Sequence, residues 1–373
     1  NATKEQILKL CEEAKEFAKI AFEISEKFDT PVLYKMCTRV AHSQSIVETA
    51  ERVVQPVKEY KKDPSKYVMA PANAIRRHPV VEQRLKDIEA WSETSGINRV
   101  EMGGTEIGII TSSTCYQYAK EVFGDSVSIL KLGMVNPLPK NMILDFASKV
   151  KELYVIEELD PIIENYCKSL GLNVHGKDIL PICGEFSQNL IAKAFGKDVP
   201  ESKKIDDVIP VRPPVMCAGC PHRGLFYALS KQKITVIGDI GCYTLGSASP
   251  LNAIDVVLCM GASVSGIHGY NKALGKDAET KAVAVIGDST FMHSGMTGLA
   301  TIAYNQSNST VIIVDNSITG MTGHQQNPTT GKNLYGEPAG RVNLEALVKA
   351  MGINRVVVVD PYNIAECEKV IKE

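Results

Sequence analysis

Two polar segments in the last third of the chain have the residue types and the spacing of a metal–phosphate site. Gly287-Asp288-Ser289-Thr290 follows one run of β-branched residues, and Asp315-Asn316 follows the next. In a parallel sheet, ligands bind outside the carboxyl ends of the strands, and consecutive strands usually lie side by side. The Asp288 carboxylate, the Asn316 amide oxygen and the Ile318 carbonyl are oxygen ligands of the kind that Mg²⁺ prefers. These three residues are therefore the predicted magnesium ligands.

A Gly-Asp pair at a strand end is also a common turn and helix N-cap, so Gly287-Asp288 alone does not indicate a metal. Its strand–helix–strand context with Asn316 favours the metal site. Gly287 would let the backbone approach a diphosphate, and the N–H groups of Ser289 and Thr290 at the start of the next helix would donate to it. The segment is therefore predicted to hold Mg²⁺ and a diphosphate together.

A second group of reactive residues consists of three cysteines, Cys217, Cys220 and Cys242. A C-x-x-C pair alone is compatible with zinc, with a redox pair or with coincidence. With Cys242 placed after a predicted strand, one more thiolate would complete either a Cys₄ zinc site or an iron–sulfur cluster. The candidates for that thiolate are Cys259, Cys367 and a residue beyond position 373. Three unligated thiols are the remaining interpretation.

Length and composition are those of a globular protein with two or three domains, since the 373 residues are 44% hydrophobic and 23% charged. A formal charge of -2 indicates no nucleic-acid partner and no basic surface for a membrane. No apolar stretch reaches the roughly 18 to 20 residues that span a bilayer. Ten cysteines without a signal peptide favour reduced thiols and a cytoplasmic location. The chain has no starting Met, which suggests a fragment of a longer product.

The elements that would position these residues follow from the periodicity of the apolar side chains. An amphipathic helix is predicted over 3–28 and a strand over 32–34, and the charged, proline-bearing stretch 58–84 is predicted to be a linker followed by a helix. The middle of the chain alternates predicted strands at 107–110, 127–132 and 153–156 with helices at 116–123 and 140–150. That alternation is typical of βαβ units with a parallel sheet.

The last segment repeats this alternation after a proline-rich boundary at 210–214. Its β-branched runs predict strands at 234–237, 256–259, 283–286, 311–314 and 356–359, with a helix over 294–304. Continuous apolar strands suit a sheet that helices cover on both faces. The predicted fold class is therefore α/β, with parallel-sheet domains.

The segment around Asp288 resembles the diphosphate-binding motif of thiamine-diphosphate enzymes, and Gly320-Met321-Thr322-Gly323-His324-Gln325 resembles a loop of the 2-oxoacid:ferredoxin oxidoreductases. The segments Cys217–Arg223 and Gly238–Gly246 extend the resemblance, because such cysteines bind an iron–sulfur cluster beside the thiamine in that family. The resemblance thus implies thiamine diphosphate as cofactor, with Mg²⁺ on Asp288, Asn316 and Ile318. It also implies an iron–sulfur cluster on Cys217, Cys220 and Cys242.

Within this family the chain is most similar to indolepyruvate-type alpha subunits, and the resemblance runs from residue 1 to the end. It implies four segments: the end of a pyrimidine-binding domain (1–54), a linker and helix (55–104), a transketolase-C-terminal-like α/β domain (105–205) and the thiamine-diphosphate domain (206–373). By this resemblance, most of the N-terminal domain, with its thiamine-activating Glu, and the C-terminal ferredoxin-like domain are expected to lie outside this sequence.

The reaction that the resemblance implies is oxidative decarboxylation of arylpyruvates to arylacetyl-CoA. Electrons would pass through iron–sulfur clusters to ferredoxin, and a smaller beta subunit would be the partner. One alternative is a thiamine enzyme without electron transfer, a decarboxylase or a synthase, which would have no use for the cysteines. The other is a non-catalytic subunit that keeps the fold.

Several residues next to these motifs are candidates for the chemistry. His293 and His222 both follow site motifs and could reach the reacting carbon, or serve as capping or core residues. Arg39 could clamp the substrate carboxylate in a bidentate pair, or lie solvated on the surface. Close approach of the backbone to the cofactor is predicted at Met260-Gly261-Ala262-Ser263 and at Gly320.

Overall fold

The computed structural model describes residues 4–201 and 208–373, and the chain divides into two compact units, Asn1–Lys204 and Ile205–Glu373. Each unit is built on its own four-stranded sheet. The predicted domain boundary at 205/206 and the first residue of the predicted N-terminal helix lie outside the described residues. None of the described helices is both long and apolar enough to cross a membrane.

The first unit begins with four helices: α1 (Lys4–Phe28), α2 (Thr38–Ala41), α3 (Pro64–Tyr67) and α4 (Pro71–Ser92). The predicted N-terminal helix is thereby confirmed. The strand predicted at 32–34 is wrong, because this segment has no strand partner among the described residues. Instead, the Tyr34 hydroxyl donates to the carbonyl of Ala14 at 2.7 Å, so the chain packs back onto α1.

The stretch predicted to be a linker over 58–84 is largely helical, because α4 begins at Pro71 and continues through Pro79. A proline at the first position of a helix loses no bond, since that N–H has no partner within the helix. Asp63 caps the short α3 by accepting from the Ser65 N–H at 3.1 Å. Pro79 removes only one bond from a helix of 22 residues. The prolines of this stretch therefore lie at the first positions of α3 and α4 and inside α4, and they do not prevent helix formation.

The first sheet has the order β1-β3-β2-β4, with β1 (Arg99–Glu101), β2 (Ile107–Ser112), β3 (Ser128–Leu132) and β4 (Glu152–Ile156). β2, β3 and β4 are parallel, as predicted, while β1 pairs antiparallel with β3 at the edge. The helices of this sheet are α5 (Ser113–Phe123), α6 (Lys140–Ser148), α7 (Ile162–Ser169) and α8 (Gln188–Ala194). Neighbouring residues Ile109 and Ile110 belong to separate apolar cores, so both faces of the sheet are covered.

The second sheet has the order β6-β5-β7-β8 and is parallel throughout. Its strands are β5 (Thr235–Gly238), β6 (Val256–Val257), β7 (Ala282–Gly287) and β8 (Thr310–Val314). Its helices are α9 (His222–Gln232), α10 (Ala262–Leu274), α11 (Lys276–Glu279), α12 (Asp288–Thr290), α13 (Met296–Tyr304), α14 (Leu344–Ala350) and α15 (Ile364–Lys372), with a 3₁₀ segment at Cys242–Ser247 and a π segment at Phe291–Gly295. Apolar cores cover both faces of this sheet too.

The strand order places the carboxyl ends of β7 and β8 side by side, as the sequence predicted. The strand predicted at 256–259 is shorter than expected and contains only Val256–Val257. It ends there because the Cys259 carbonyl accepts from the Ala262 N–H at 3.0 Å, which turns the chain into α10. The amino end of α10 is thereby also brought to the carboxyl edge of the sheet.

The strand predicted at 356–359 is wrong. This segment pairs with no described strand, and Val357 and Val358 are 50% and 71% exposed. β-branched residues favour a strand only where a neighbouring strand supplies hydrogen bonds and packing. Without that neighbour, the segment is extended chain between α14 and α15.

Candidate cofactor site

The side chain of Asp288 is firmly oriented at the carboxyl edge of the second sheet. It is the first residue of α12, directly after β7, and is only 3% exposed. Its Oδ2 accepts from Asn327 Nδ2 at 3.1 Å and from Thr329 Oγ1 at 2.7 Å. No described residue donates to its Oδ1. A buried carboxylate with one oxygen held by the protein and the other without a donor fits a cation ligand.

The turn after β8 carries the other two predicted magnesium ligands. Asn316 Oδ1 accepts from the N–H of Ile318 at 3.3 Å, and Asp315 Oδ1 accepts from the N–H of Ser317 at 2.7 Å. Both are Asx turns, which fix a short polar loop by bonds from side chain to backbone. The structure thus brings Asp288 and the loop at Asn316 to adjacent strand ends, as predicted.

A hydrogen bond joins the two strand ends directly. Thr319 Oγ1, in the segment after β8, donates to Ser289 Oγ, in the turn after β7, at 3.0 Å. The same segment continues into the predicted diphosphate contact Gly320, where an added Cβ would lie 3.3 Å from Cys242 Sγ. The predicted magnesium ligands, the Gly320 loop and one of the three cysteines therefore belong to one region.

Gly287 has a packing role that the sequence did not predict. A Cβ added there would lie 2.3 Å from the Tyr243 ring, so only glycine lets the ring reach this position. The Tyr243 hydroxyl donates to the Ile240 carbonyl at 2.7 Å, and its oxygen lies 3.2 Å from Thr290 Oγ1. Tyr243 thus contacts α12 through Thr290. A contact between Gly287 and a diphosphate stays a prediction.

The ionisation of Tyr243 should make stability depend on pH. Burial raises the pKa of its phenol to about 12, against about 10 in an unfolded chain. Below about pH 10 the phenol is protonated in both the folded and the unfolded protein, so the free energy of unfolding keeps its full value. Between about pH 10 and 12 the phenol ionises only in the unfolded protein, and the free energy of unfolding falls by about 2 to 3 kcal/mol.

Urea unfolding from neutral to alkaline pH checks this expectation. The free energy of unfolding should fall more steeply with pH in the wild-type protein than in Tyr243→Phe. Tyr304→Phe is the matched control, because that tyrosine is 88% exposed. Parallel pH curves for wild type and Tyr243→Phe would show that the phenol is not held in its neutral form.

Asp239 is a buried carboxylate that the sequence did not single out. It follows β5, is fully buried, and accepts from the N–H groups of Gly261 at 2.9 Å (Oδ1) and Ser263 at 3.0 Å (Oδ2). Gly261 has a φ of 86°, and a Cβ there would lie 2.6 Å from Ser294 Cβ. Asp239 therefore fixes the loop that leads into α10. At Gly261 this loop packs closely against the π segment.

The start of α10 also contains an unsatisfied polar group. Ser263 Oγ is buried and has no hydrogen-bond partner among the described residues. A buried hydroxyl without a partner costs free energy unless a ligand or a water molecule forms a hydrogen bond with it. Together with Asp288 Oδ1, it shows that the polar groups at this edge fit a phosphate-bearing cofactor with its cation.

His222 and His293 differ in their surroundings. His222 opens α9, is 4% exposed, and lies edge-on to Tyr243 with 6.4 Å between ring centroids. Burial lowers the pKa of His222, and the nearby Asp288 and Asp315 partly oppose that shift, so the ring is neutral at pH 7. His293 is exposed on the π segment, with Nδ1 2.6 Å from Ser294 Oγ.

Arg39 belongs to the first unit, on α2. Its Nη2 donates to Glu185 Oε2 at 2.9 Å, and its guanidinium lies over the Tyr118 ring at 5.7 Å from the centroid. The guanidinium is thus already paired with a carboxylate in this unit. Its predicted contact with a substrate stays a prediction.

The three cysteines are close enough to influence one another. Burial raises the pKa of Cys242, and Cys220 and Cys217 add to that effect. The turn between the latter two is fixed by the backbone bond from Cys220 N–H to the Cys217 carbonyl at 3.2 Å and by Arg223, whose Nε donates to the same carbonyl at 2.9 Å. Even so, no group of three or more His, Cys, Asp or Glu side chains within 4–201 and 208–373 is arranged to hold a metal.

The two candidates for a fourth thiolate are also unlike each other. Cys259 is exposed at the loop before α10, whereas Cys367 is buried on α15 and its thiol donates to the Asp360 carbonyl at 3.7 Å. Cys367 is therefore already used in packing, and Cys259 is the more accessible of the two. Ligation of a cluster by these cysteines stays a prediction.

Residues 239–373 match the family of thiamine pyrophosphate enzymes through its C-terminal TPP-binding domain. The matched residues lie wholly in the second unit and begin directly after β5. It is 37% identical to the indolepyruvate oxidoreductase subunit IorA of Archaeoglobus fulgidus over 97% of this chain and 61% of that protein. The subunit of the same name from Pyrococcus horikoshii is 36% identical over 97% of this chain and 62% of its own length.

These similarities confirm the resemblance to indolepyruvate-type subunits, and the chain spans 61 to 62% of the length of the relatives named here. Among solved structures, a 2-oxoglutarate:ferredoxin oxidoreductase from Magnetococcus marinus is 22% identical, with a TM-score of 0.36, over 43% of this chain and 59% of that one. The α/β fold with parallel sheets rests on this chain's own topology.

Proposed function

We propose that this chain is part of the large subunit of a thiamine-diphosphate-dependent 2-oxoacid:ferredoxin oxidoreductase that acts on arylpyruvates. The observation that carries the proposal is the buried Asp288 carboxylate, oriented by Asn327 and Thr329 at the carboxyl end of β7. The substrate class is inferred from the relatives, which are indolepyruvate oxidoreductase subunits. Coenzyme A, ferredoxin and a smaller beta subunit are the proposed partners, and the cytoplasm is the proposed location.

The proposed division of the chain keeps the four segments given above. The segments 1–54 and 55–104 would be the end of a pyrimidine-binding domain and a linker with its helix. The segment 105–205 would be the transketolase-C-terminal-like domain, and 206–373 the domain that holds the diphosphate. The proposed magnesium and diphosphate ligands lie wholly in the last of them, because each of them ends β7 or follows β6, β7 or β8.

In the proposed mechanism Asp288, Asn316 and the Ile318 carbonyl would hold a magnesium ion. Thiamine diphosphate, when bound, supplies the electron sink for decarboxylation of a 2-oxoacid. Hydrogen-bond donors at the start of a helix suit a diphosphate. The residues proposed to line the cofactor are Gly287, Ser289, Thr290, Gly320, Met260, Gly261 and Ser263.

Three side chains are proposed to act on the substrate. His222 is suited to accept a proton, because burial keeps its ring neutral. His293 is exposed and can present its ring to a bound substrate. Arg39 would bind the substrate carboxylate by exchanging its bond to Glu185 for one of the same kind, since an arginine fork binds either carboxylate in the same geometry.

An iron–sulfur cluster on Cys217, Cys220 and Cys242 would take the electrons. The alternative is a thiamine enzyme without electron transfer, a decarboxylase or a synthase, which would have no use for these three cysteines. The two candidates differ in iron content and in electron transfer, so one experiment separates them.

The experiment measures iron content and ferredoxin reduction under anaerobic conditions, with an arylpyruvate and coenzyme A as substrates and the beta subunit present. We expect iron that is lost in Cys217→Ser and retained in Cys183→Ser, the control at an exposed cysteine. Ferredoxin reduction should fall with the iron, because the cluster would be its only route to the cofactor. Iron-free protein that still decarboxylates at the full rate would favour the non-redox enzyme instead.

A further inference from the structure

A basic cluster lies in the first unit, where the end of α1 meets α3 and α4. The carboxylate of Asp29, the residue after α1, accepts from Lys66 Nζ at 2.7 Å and from Arg84 Nη2 at 3.5 Å, and Arg77 Nη2 lies 3.8 Å from it. The Lys66 hydrogen bond lowers the pKa of Asp29, and the charges of Arg84 and Arg77 add to the effect. One carboxylate, which keeps its charge, thus faces three cations.

The two arginines of this cluster line a cavity of about 520 Å³. Lys27 and Asp87 add one charge of each sign to its wall, and Asp87 already accepts from Gln83 Nε2 at 2.9 Å. Together with Lys66, the four cations around the cavity face two carboxylates. Positive charge is therefore in excess by two.

This excess charge is partly withdrawn from water, because the side chains of Arg84 and Arg77 are only 15% and 26% exposed. Repulsion between cations is screened less there than on an open surface. A purely structural role for Asp29 leaves this excess unexplained, since one carboxylate neutralises only one of its three cations. A further anion inside the cavity would neutralise the rest.

We propose that the cavity binds a phosphate group, either as the free anion or as part of a small molecule. Arginine guanidinium groups match phosphate oxygens in pairs, and about 520 Å³ lies within the range of small-molecule sites. Phe28 and Val80 give the wall an apolar portion that would suit the rest of such a molecule. The inference uses only the first unit and is independent of the proposed oxidoreductase function.

The single tryptophan, Trp91, lies beside the cavity and can report on binding. Lys27 Nζ lies 5.4 Å from its ring centroid and 5.1 Å from that of Phe28, and the two rings meet edge-on at 5.8 Å. An anion that draws Lys27 into the cavity would move the ammonium away from the indole. Binding should therefore change the Trp91 emission as well as release heat.

The test titrates the chain with inorganic phosphate, pyrophosphate and coenzyme A, followed by Trp91 fluorescence and by calorimetry. We expect saturable binding of at least one of them, weakened at least about tenfold in Arg84→Gln because a bidentate pair is lost. Asp29→Asn should bind about three- to tenfold more tightly, because the competing carboxylate is gone. Tighter binding of coenzyme A than of inorganic phosphate would identify a small-molecule ligand, and the reverse order would identify the free anion.

Two controls keep the result interpretable. Arg52→Gln changes an exposed arginine outside the cluster and should bind like the wild type. Arg84→Lys keeps the charge at the same position, so a smaller loss of affinity than in Arg84→Gln would show that the loss comes from the charge and not from misfolding. Absence of saturable binding, or equal affinity in wild type, Arg84→Gln and Asp29→Asn, would overturn the proposal.

Discussion

Asp288→Ala is expected to lower the affinity for thiamine diphosphate with Mg²⁺ by at least about 100-fold, since even residues that only orient metal ligands are worth about 10- to 100-fold. The substitution removes the buried carboxylate and leaves Asn327 Nδ2 and Thr329 Oγ1 without their acceptor. Isothermal titration calorimetry with cofactor and Mg²⁺ measures the loss directly. The effect should be larger than for any other single residue at this edge of the sheet.

A matched control and a graded variant make this expectation specific. Asp277→Ala removes an aspartate from α11, away from the carboxyl edge, and should bind as the wild type does. Asn327→Ala removes one of the two donors to Asp288 and should cost about 10- to 100-fold, because it only orients the ligand. Equal affinity in wild type and Asp288→Ala would show that Asp288 does not hold the cation. Absence of binding in both would instead favour the third interpretation of the sequence, a subunit that keeps the fold without binding the cofactor.

The elements that carry Asp288 and Asn316 could be predicted from the sequence because β7 and β8 are continuous apolar runs between helices. Burial on both faces imposes such a run, so the pattern and the structure share one cause. β1 was not predicted, because Arg99 and Val100 are exposed and the segment has no apolar run. It forms a strand through antiparallel pairing with β3 at the edge of the sheet.

The partners of Asp288 could not be predicted, because Asn327 and Thr329 lie in a long irregular segment between β8 and α14. Such a segment has no periodicity, and polar residues in it look the same in sequence whether they face solvent or a buried carboxylate. Thr329 is only 1% exposed. A buried polar residue in a loop is therefore recognised only when the fold shows what it contacts.

Asp239 illustrates a second limit. Its carboxylate contacts the backbone of Gly261 and Ser263, and these contacts exist because β6 lies beside β5 in the sheet. These two hydrogen bonds use only the N–H groups of Gly261 and Ser263, so the side chains of these residues do not reveal them. Sequence patterns carry side-chain types, so a role that depends on backbone donors is invisible to them.

This role of Asp239 leads to the second large expected effect. Asp239→Ala should lower the free energy of unfolding of the second unit by about 3 to 5 kcal/mol, because it leaves buried N–H groups without a charged acceptor. Chemical denaturation with urea measures the loss. Asp255→Ala is the matched control: this exposed aspartate accepts one bond, from the Val236 N–H at 2.7 Å, and its loss should cost about 1 kcal/mol.

Removal of the Asp239 carboxylate should also weaken cofactor binding in protein that is still folded. Asp239 holds the loop of Gly261 and the start of α10, where Ser263 Oγ lacks a partner, so its loss removes the fixed orientation of donors that a phosphate would meet. Calorimetry without denaturant should show about 10- to 100-fold weaker binding for Asp239→Asn, which keeps the side-chain volume. Equal affinities for wild type and Asp239→Asn, despite lower stability in the variant, would show that this carboxylate supports the fold of the loop but does not position the cofactor.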